Sequence, residues 1–380
     1  MNVLVVNAGS SSLKVRLLDD ADDVVAALDL GRWSGGRETD ELERFVSGLG
    51  TVDAVGHRVV HGGSEFPGPV RLAGDVRGRI AALAELAPLH QPRGVAGIDA
   101  ITAVLPDVAA VACFDTSFHR DLPAAAATYA LPRDWNERWG LRRYGFHGLS
   151  HAYAAGRAAE FLRRGDARVV TCHLGAGASL AAVLAGRSVD TTMGFTPLEG
   201  LVMATRPGSV DPGLLLWLLR HGGMSVASLG DALEHESGLA GLTGGDGDLR
   251  EVRQGVETGD ERAVRAFDVY THRLRREIAG MAAAMDGLDA LVFTGGVGEH
   301  QPPVRTAAAA GLGFLGVRLD EDANRAVAGD QVTDTEITAG GAAVRTFVVT
   351  AREDREIARQ VRELLGRGRS GRERPRDRRQ

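Results

Sequence analysis

The sequence predicts an α/β protein made of two related halves, and three observations carry that prediction. The chain has 380 residues, the length of two domains, each large enough to bury its own core. A strand, a glycine-bearing turn and a second strand occupy residues 3–18, and the same unit recurs over residues 169–184. Val3 falls on Val169, Asn7 on His173 and Gly9 on Gly175. An apolar run at 108–114 reads as a buried strand and delivers Asp115-Thr116-Ser117 at its end, where open α/β sheets carry functional side chains.

The elements follow in order. Residues 3–6 form a buried strand that ends in the turn Asn7-Ala8-Gly9-Ser10-Ser11-Ser12. Alternation then resumes, with Leu13, Val15 and Leu17 on one face and Lys14 and Arg16 on the other. No side chain blocks such a turn, so its N–H groups and hydroxyls can converge on an anion; the same composition also suits an ordinary Gly/Ser hairpin. Lys14 is the only lysine of the chain, and lysine is a compact charge that phosphate sites use. Residues up to Gly50 read as acidic, glycine-broken segments. A strand over 52–60 runs into His57-Arg58-Val59-Val60-His61-Gly62-Gly63, which has the character of a site loop. A helix is expected over 79–86, closed by Pro88, with Pro92 in the first turn of the next helix.

In the second half a helix follows His147 and runs to about residue 164, stopped by Gly165. The domain boundary is placed here, giving residues 1–148 with 351–366 as one domain and 149–350 as the other. Asp211 and Pro212 open a helix that Gly222 ends. Asp260 opens a long core helix with apolar residues at Val264, Phe267, Leu274, Ile278, Met281 and Met285. A strand over 288–293 enters a third glycine turn at 294–300, against whose backbone a base and ribose can lie; Pro302 and Pro303 open the next helix. The strand at 344–349 leads to Glu353-Asp354 and a last helix. Residues 311–316 match the dinucleotide spacing G-x-G-x-x-G, but they follow a helix and open none, so the match is discounted.

Composition narrows the function. Hydrophobic content of 44% and charged content of 25% are those of a soluble globular chain. The net charge is −6, although residues 366–380 carry seven arginines against Glu373 and Asp377. The body is therefore acidic, which argues against nucleic acid as the main partner, and residues 367–380 read as a disordered basic tail. Cys113 and Cys172 are too few for a disulfide framework or a zinc site. No signal peptide or membrane span is evident, so a soluble cytoplasmic protein without a membrane partner is expected.

The motifs NAGSSSLK, GHRVVHGG, LAPLHQP, FDTSFH, RRYGFHGLSH, CHLGAG, GFTPLEGL, TRPGSVDP and FTGGVGEH, with Glu353 closing the series, resemble the acetate kinase family from residue 2 to about 365. That family lies in the superfamily of sugar kinases, heat-shock ATPases and actin. The resemblance implies a duplicated actin-like (ribonuclease H-like) fold with two domains around a nucleotide cleft. It implies reversible phosphoryl transfer from ATP to acetate, with Mg²⁺ or Mn²⁺, by a homodimer. Arg58 would hold the carboxylate and Val60, Leu89, Phe146 and Pro197 the methyl group. His147 and Arg206 would steady the phosphoryl group, with Asp115 as the family's acid/base or as an orienting group. Asn7 and Glu353 would hold the metal. Lys14, His173, Leu174, Gly175, Ala176 and Gly177 would meet the nucleotide. So would Asp248, Leu249 and Arg250, and Gly296, Val297, Gly298, Glu299 and His300.

The chain departs from the family pattern in a trimmed first domain, in Ala176 and His300 at positions usually held by asparagine, and in Pro207 after Arg206. Taken singly, Arg58 also reads as a surface ion pair and His147 as a core histidine. Two other readings stay open: a propionate or butyrate kinase, and an ATPase switch of the actin and heat-shock type.

Overall fold

The computed structural model describes residues 1–9, 12–31, 33, 39–88, 90–329 and 332–370. The chain divides into two compact units, Met1–Phe118 with the chain from Arg352, and His119–Ala351.

The first unit holds a six-stranded sheet built from β1 (Val3–Ala8), β2 (Leu13–Leu18), β3 (Val24–Leu30), β4 (Ala54–Val59), β5 (Val70–Arg71) and β6 (Ala109–Phe114), in the order β3-β2-β1-β4-β6-β5. β1 is antiparallel to β2 and parallel to β4, which is parallel to β6. The C-terminal ends of β1, β4 and β6 therefore lie side by side, carrying Asn7, Arg58 and Asp115. One core cluster joins Leu4, Val6, Leu13 and Val15 to Leu42, Val46 and Ile101, and a second joins Val59, Phe66 and Phe114 to Ile80 and Ile98. Burial of each such side chain contributes about 1.5–3 kcal/mol.

The second unit repeats the plan. Its strands are β7 (Arg168–Leu174), β8 (Ala178–Leu184), β9 (Arg187–Thr191), β10 (Ala290–Thr294), β11 (Thr335–Glu336) and β12 (Arg345–Val348), in the order β11-β12-β10-β7-β8-β9. β7 is antiparallel to β8 and parallel to β10, which is parallel to β12. Read from β9, this is the order of the first sheet read from β3. The strand, turn, strand repeat seen in the sequence is thus the seed of a repeated sheet.

Several expectations need correction. The supposedly irregular stretch before Gly50 contains β3 and the helix Thr39–Ser47. β3 is an edge strand with Val24 and Val25 largely exposed, so it shows no clean alternation. The helix buries Leu42 and Val46 in the core, with Phe45 packed partly buried beside them. The helix expected over 79–86 runs from Val76 to Ala82 and tightens into a 3₁₀ turn at Leu83–Leu86. The helix that opens after His147 ends at Leu162, two residues before the expected end, with Arg163 in the left-handed conformation. On the helix Glu261–Ala283, Val264 faces outward, and Ala263, Ala266 and Tyr270 supply the buried stripe beside Leu274, Ile278 and Met281. The third glycine turn is a short helix, Gly295–His300. The last helix continues to Ser370, past the expected start of the tail, because no proline intervenes and arginine is a good helix former. Residues 371–380 lie outside the described residues.

The unit boundary also falls earlier than residue 148. The segment after Phe118 is bonded into the second unit. His119 Nδ1 meets Ser188 Oγ at 2.8 Å, Tyr144 N donates to Gly194 O at 3.1 Å, and Arg143 binds Glu199 at 2.7 Å.

The last helix lies directly on β4. A Cβ added at Gly56 would stand 2.5 Å from Ile357 Cγ2 and 2.8 Å from Val361 Cγ2. Both methyls belong to stiff β-branched side chains. Gly56→Val is therefore expected to destabilise the first unit by about 1–3 kcal/mol, read as a lower midpoint in urea melts followed by circular dichroism. A midpoint equal to wild type would show that the helix shifts without cost.

Candidate functional site

In the first unit the ends of three neighbouring parallel strands and one helix start meet. Arg58, on β4, donates from Nε to Asp115 Oδ1 at 3.1 Å, from Nη2 to Asp115 Oδ2 at 2.6 Å, and from Nη1 to Asn7 Oδ1 at 3.1 Å. Asn7 Nδ2 donates to Glu353 Oε2 at 2.9 Å, and that carboxylate lies 3.8 Å from Arg58 Nε. The carboxylate of Asp115 is buried, while Arg58 and Glu353 keep about one-sixth of their side chains exposed. Burial pulls the Arg58 guanidinium down, but the Asp115 and Glu353 charges outweigh it and raise it, so Arg58 stays charged. Burial also pushes the Asp115 carboxyl up, against the pull of Arg58.

A guanidinium has five N–H groups, and the network engages one on each nitrogen. One N–H on each terminal nitrogen lies outside these bonds, a pair suited to a second carboxylate. The oxygens of Asn7, Asp115 and Glu353 form a hard donor set. No cage of three or more His, Cys, Asp or Glu exists among the described residues. Such oxygens are of the kind a cation that keeps most of its waters takes one or two of. The neighbouring loop is fixed by Gln91, buried without exposure, which donates to His61 O and Ile80 O at 2.9 and 3.0 Å. Sequence reasoning missed it.

In the second unit a cavity of about 630 Å³ is lined by Gly175, Ala176, Asp248, Leu249 and Arg250, and by Gly296, Val297 and His300. These are eight of the residues expected at the nucleotide. That volume suits a ligand of nucleotide size. Gly295 has φ +79°, and a Cβ there would strike Leu174 O at 2.8 Å, whereas one at Gly296 would meet nothing within 4 Å. The helix start is thus packed on one side and open on the other. Asp248 caps the helix Leu249–Thr258, its Oδ1 accepting from Arg250 N at 2.8 Å. Ala204, Leu239, Tyr270 and Gln301 also line the cavity. Sequence reasoning missed them, because each carries only the signal of an ordinary core or helix residue.

Six expected nucleotide residues do not line the cavity, Lys14 of the first unit and five of the second. Leu174 is buried in β7, and Gly298 is buried within its helix. Glu299 turns its Oε1 inward, accepting from Gly295 N and Ala351 N, both at 2.9 Å. Two backbone donors inside the fold thus engage that oxygen. His173 Nδ1 is bonded to Ser150 Oγ at 2.8 Å, and its ring stacks on His147 with centroids 4.3 Å apart. Gly177 instead lies beside His147 and Arg206, the residues expected to steady the phosphoryl group: a Cβ there would stand 3.6 Å from His147 Nε2 and 3.7 Å from Arg206 Nη1. His147 itself holds φ +56°, uncommon for a residue with a side chain and frequent at functional sites. Burial lowers the Arg206 guanidinium, and Glu234, 3.2 Å from its Nε, opposes that.

The remaining expected residues are divided between the units. Lys14 lies in the first, cross-strand from Asn7 and exposed. Val60 is buried in the first, and Phe146 is buried and Pro197 half-buried in the second. Leu89 and the turn residues Ser10 and Ser11 lie outside the described residues.

Two α/β units with one strand plan, a nucleotide-sized cavity in one and a carboxylate-flanked arginine in the other define a duplicated-sheet phosphotransferase. The Acetokinase family model matches residues 38–359, and the chain belongs to that family. An acetate kinase of Nostoc punctiforme is 46% identical over 363 residues, 95% of this chain and 87% of the relative. The crystal structure of Porphyromonas gingivalis acetate kinase is 36% identical, covers 96% of this chain and 99% of its own, and has a TM-score of 0.87. A propionate kinase from Francisella tularensis is 33% identical, with coverage of 95% and 99% and the same TM-score. The duplicated fold expected from the sequence is the fold observed.

Burial depresses four histidines of this chain, His57 to about 3, His61 and His119 to about 4, and His151 well below the usual range. The unfolded chain takes up these protons near pH 6.5 while the folded chain resists them, so their contribution is complete above that value and is lost as pH falls toward about 4. His119 alone would contribute roughly 3 kcal/mol over this window. Urea midpoints are expected to drop between about pH 7.5 and about pH 5. A flat midpoint over that span would contradict the burial of these rings.

Proposed function

We propose that this chain is an acetate kinase, transferring the γ-phosphoryl group of ATP reversibly to acetate to give acetyl phosphate and ADP. The observation that carries the proposal is Arg58, a largely buried cation held by Asp115 and Asn7 with one N–H on each terminal nitrogen beyond that network. Acetate is ionised near neutral pH, so the nucleophile needs no general base. The obstacle is repulsion between two anions, and catalysis of such a step is positioning and charge neutralisation. In this reading Asp115 orients Arg58 and takes no proton from the substrate, because both its oxygens are committed to the guanidinium. The nucleotide occupies the cavity ending at Gly175 and Gly296, and Arg206 and His147, both beside Gly177, hold the transferring group during direct in-line displacement.

Asn7 and Glu353 are the residues assigned to Mg²⁺, with water completing the shell. When bound, the ion offsets charge on the polyphosphate. The acceptor's methyl group is assigned to Val60, Phe146, Pro197 and Leu89. A competing acceptor is propionate, on which the Francisella tularensis relative is named to act.

The protein is further read as a cytoplasmic homodimer. No helix among the described residues is long and apolar enough to cross a membrane. Leu214, Leu216 and Trp217, each about half exposed on the helix Pro212–His221, offer apolar surface that a second copy would cover.

Incubation with MgATP, acetate and hydroxylamine is expected to yield acetyl hydroxamate in proportion to ADP. ATP hydrolysis without hydroxamate would support the switch reading instead. Wild type is expected to favour acetate over propionate by roughly tenfold in kcat/KM, the range that one methylene allows. Val60→Ala is expected to narrow or reverse that preference with little change in the KM for ATP. If the substitution alters both acids alike, the methyl pocket is misassigned while the kinase reading stands.

A further inference from the structure

Glu199 sits two residues past Pro197, and both of its carboxylate oxygens are engaged by residues distant in sequence. Oε1 accepts from Arg143 Nη2 and Oε2 from the Tyr129 hydroxyl, each at 2.7 Å. Both partners also reach the backbone at the other end of the same loop. Tyr129 Oη accepts from Phe195 N at 2.7 Å. Arg143 Nη1 donates to Thr192 O and Met193 O at 3.2 and 3.1 Å, and its guanidinium lies over the Tyr129 ring, 5.6 Å from the centroid. The direction of each bond is fixed by chemistry. An ionised carboxylate and a carbonyl only accept, a guanidinium and a backbone N–H only donate, and the Tyr129 proton therefore goes to Glu199. All of these residues belong to the second unit.

The bonds close around the loop. Arg143 bridges the backbone at residues 192–193 to the side chain at 199, and Tyr129 bridges the N–H at 195 to the same side chain. Thr196-Pro197-Leu198 is therefore tied on both sides. Gly194 leaves the space for this, since a Cβ there would overlap Glu199 Oε2 and Tyr129 Oη. The Gly194 carbonyl accepts from Tyr144 N and Gly145 N at 3.1 and 3.3 Å. Those two bonds, with Arg143 itself, join the loop to residues 143–145, which lead directly into Phe146. Phe146 and Pro197 are the second-unit residues assigned to the acceptor's methyl group, and each lies within three residues of a bond in this network. Tyr129, Arg143 and Glu199 do not line the nucleotide cavity.

We propose that Glu199, with Tyr129 and Arg143, is a positioning residue that ties the Pro197 loop to the segment carrying Phe146 and so sets the size of acid the enzyme accepts. The proposal rests on the acetate kinase reading for the acceptor pocket, while the bonds themselves do not depend on it. A tied loop makes an extra methylene costly, because side chains must move to admit it. A loosened loop removes that cost for propionate and holds acetate less well oriented. Burial, with the bond to Glu199 adding, pushes the Tyr129 hydroxyl up, so it keeps the proton it donates. Burial pulls the Arg143 guanidinium down, but Glu199 outweighs it and Arg143 stays charged.

The test combines hydrogen exchange with acceptor kinetics on the full chain. Tyr129→Phe deletes the hydroxyl that carries two of the bonds. Exchange in peptic fragments spanning residues 192–200, read by mass spectrometry, is expected to speed up by about two- to tenfold, the worth of one or two hydrogen bonds. Exchange over residues 295–300 should stay at the wild-type rate. The preference for acetate over propionate in kcat/KM is expected to narrow from roughly tenfold to about threefold or less, with the KM for ATP within about twofold of wild type. Glu199→Gln, which keeps the shape and loses the charge, should move both readouts in the same direction. Either variant that folds by circular dichroism and keeps wild-type exchange over this loop overturns the proposal. Faster exchange with both acids affected alike overturns it too, and leaves the kinase reading intact. Wild type that forms hydroxamate from neither acid removes the kinase reading and the acceptor role together.

Discussion

Arg58 has to remain charged while largely withdrawn from water, and the first unit is arranged around that requirement. An unpaired guanidinium in such a place would cost several kcal/mol, so its partners are as necessary as the arginine itself. Asp115 supplies the opposing charge from the end of β6, and Asn7 supplies an acceptor from the end of β1. Glu353 closes the group from the start of the last helix. The strands that carry the first three are consecutive in the sheet and parallel, which is why residues so far apart in sequence reach one point. A bidentate pair also holds the guanidinium plane in one orientation, and the proposed carboxylate clamp depends on it.

The second unit uses the same sheet differently. Its first turn, at Gly175 and Gly177, and the helix start at Gly295 and Gly296 bring backbone close to a cavity, and bulk is absent where a ligand would lie. Behind that surface the fold is tied down by buried polar groups. Arg305, without exposure, donates to Gly298 O and Glu299 O, both at 2.8 Å, and so satisfies carbonyls at the end of the short helix Gly295–His300. Glu299 ties the start of that helix to Ala351, the last residue of its unit. A six-residue helix has little stability of its own, and these bonds account for its order.

The histidines show how much a shared residue type conceals. His119, His147, His151 and His173 form one cluster, and His57 and His61 lie buried in the other unit. All sit in motifs of similar appearance. The rings differ in what each nitrogen meets. His119 is bonded at both nitrogens, to Ser188 Oγ and Phe146 O. His147 is bonded at Nδ1 to Ser179 and turns Nε2 toward Gly177 and Arg206.

The amino-acid sequence by itself determined the duplication, because two strand, turn, strand units sit at matching places and both became the centre of a sheet. It also determined the main strands and the helix starts at Asp211 and Asp260, since caps and alternation are local physics read within a few residues. It singled out Asn7, Arg58, Asp115 and Glu353, as well as eight residues of the cavity. Only the tertiary structure decided which glycine-rich stretch became a helix, where the unit boundary falls, and that Glu299 faces inward. Those outcomes depend on partners far away in the chain: Gly194 for residues 144 and 145, and Ala351 for Glu299. The edge strand β3 and the role of Gln91 were illegible for the same reason. Pairing with β2 and a bond to the backbone of His61 are properties of neighbours, and residue order carries no local mark of them.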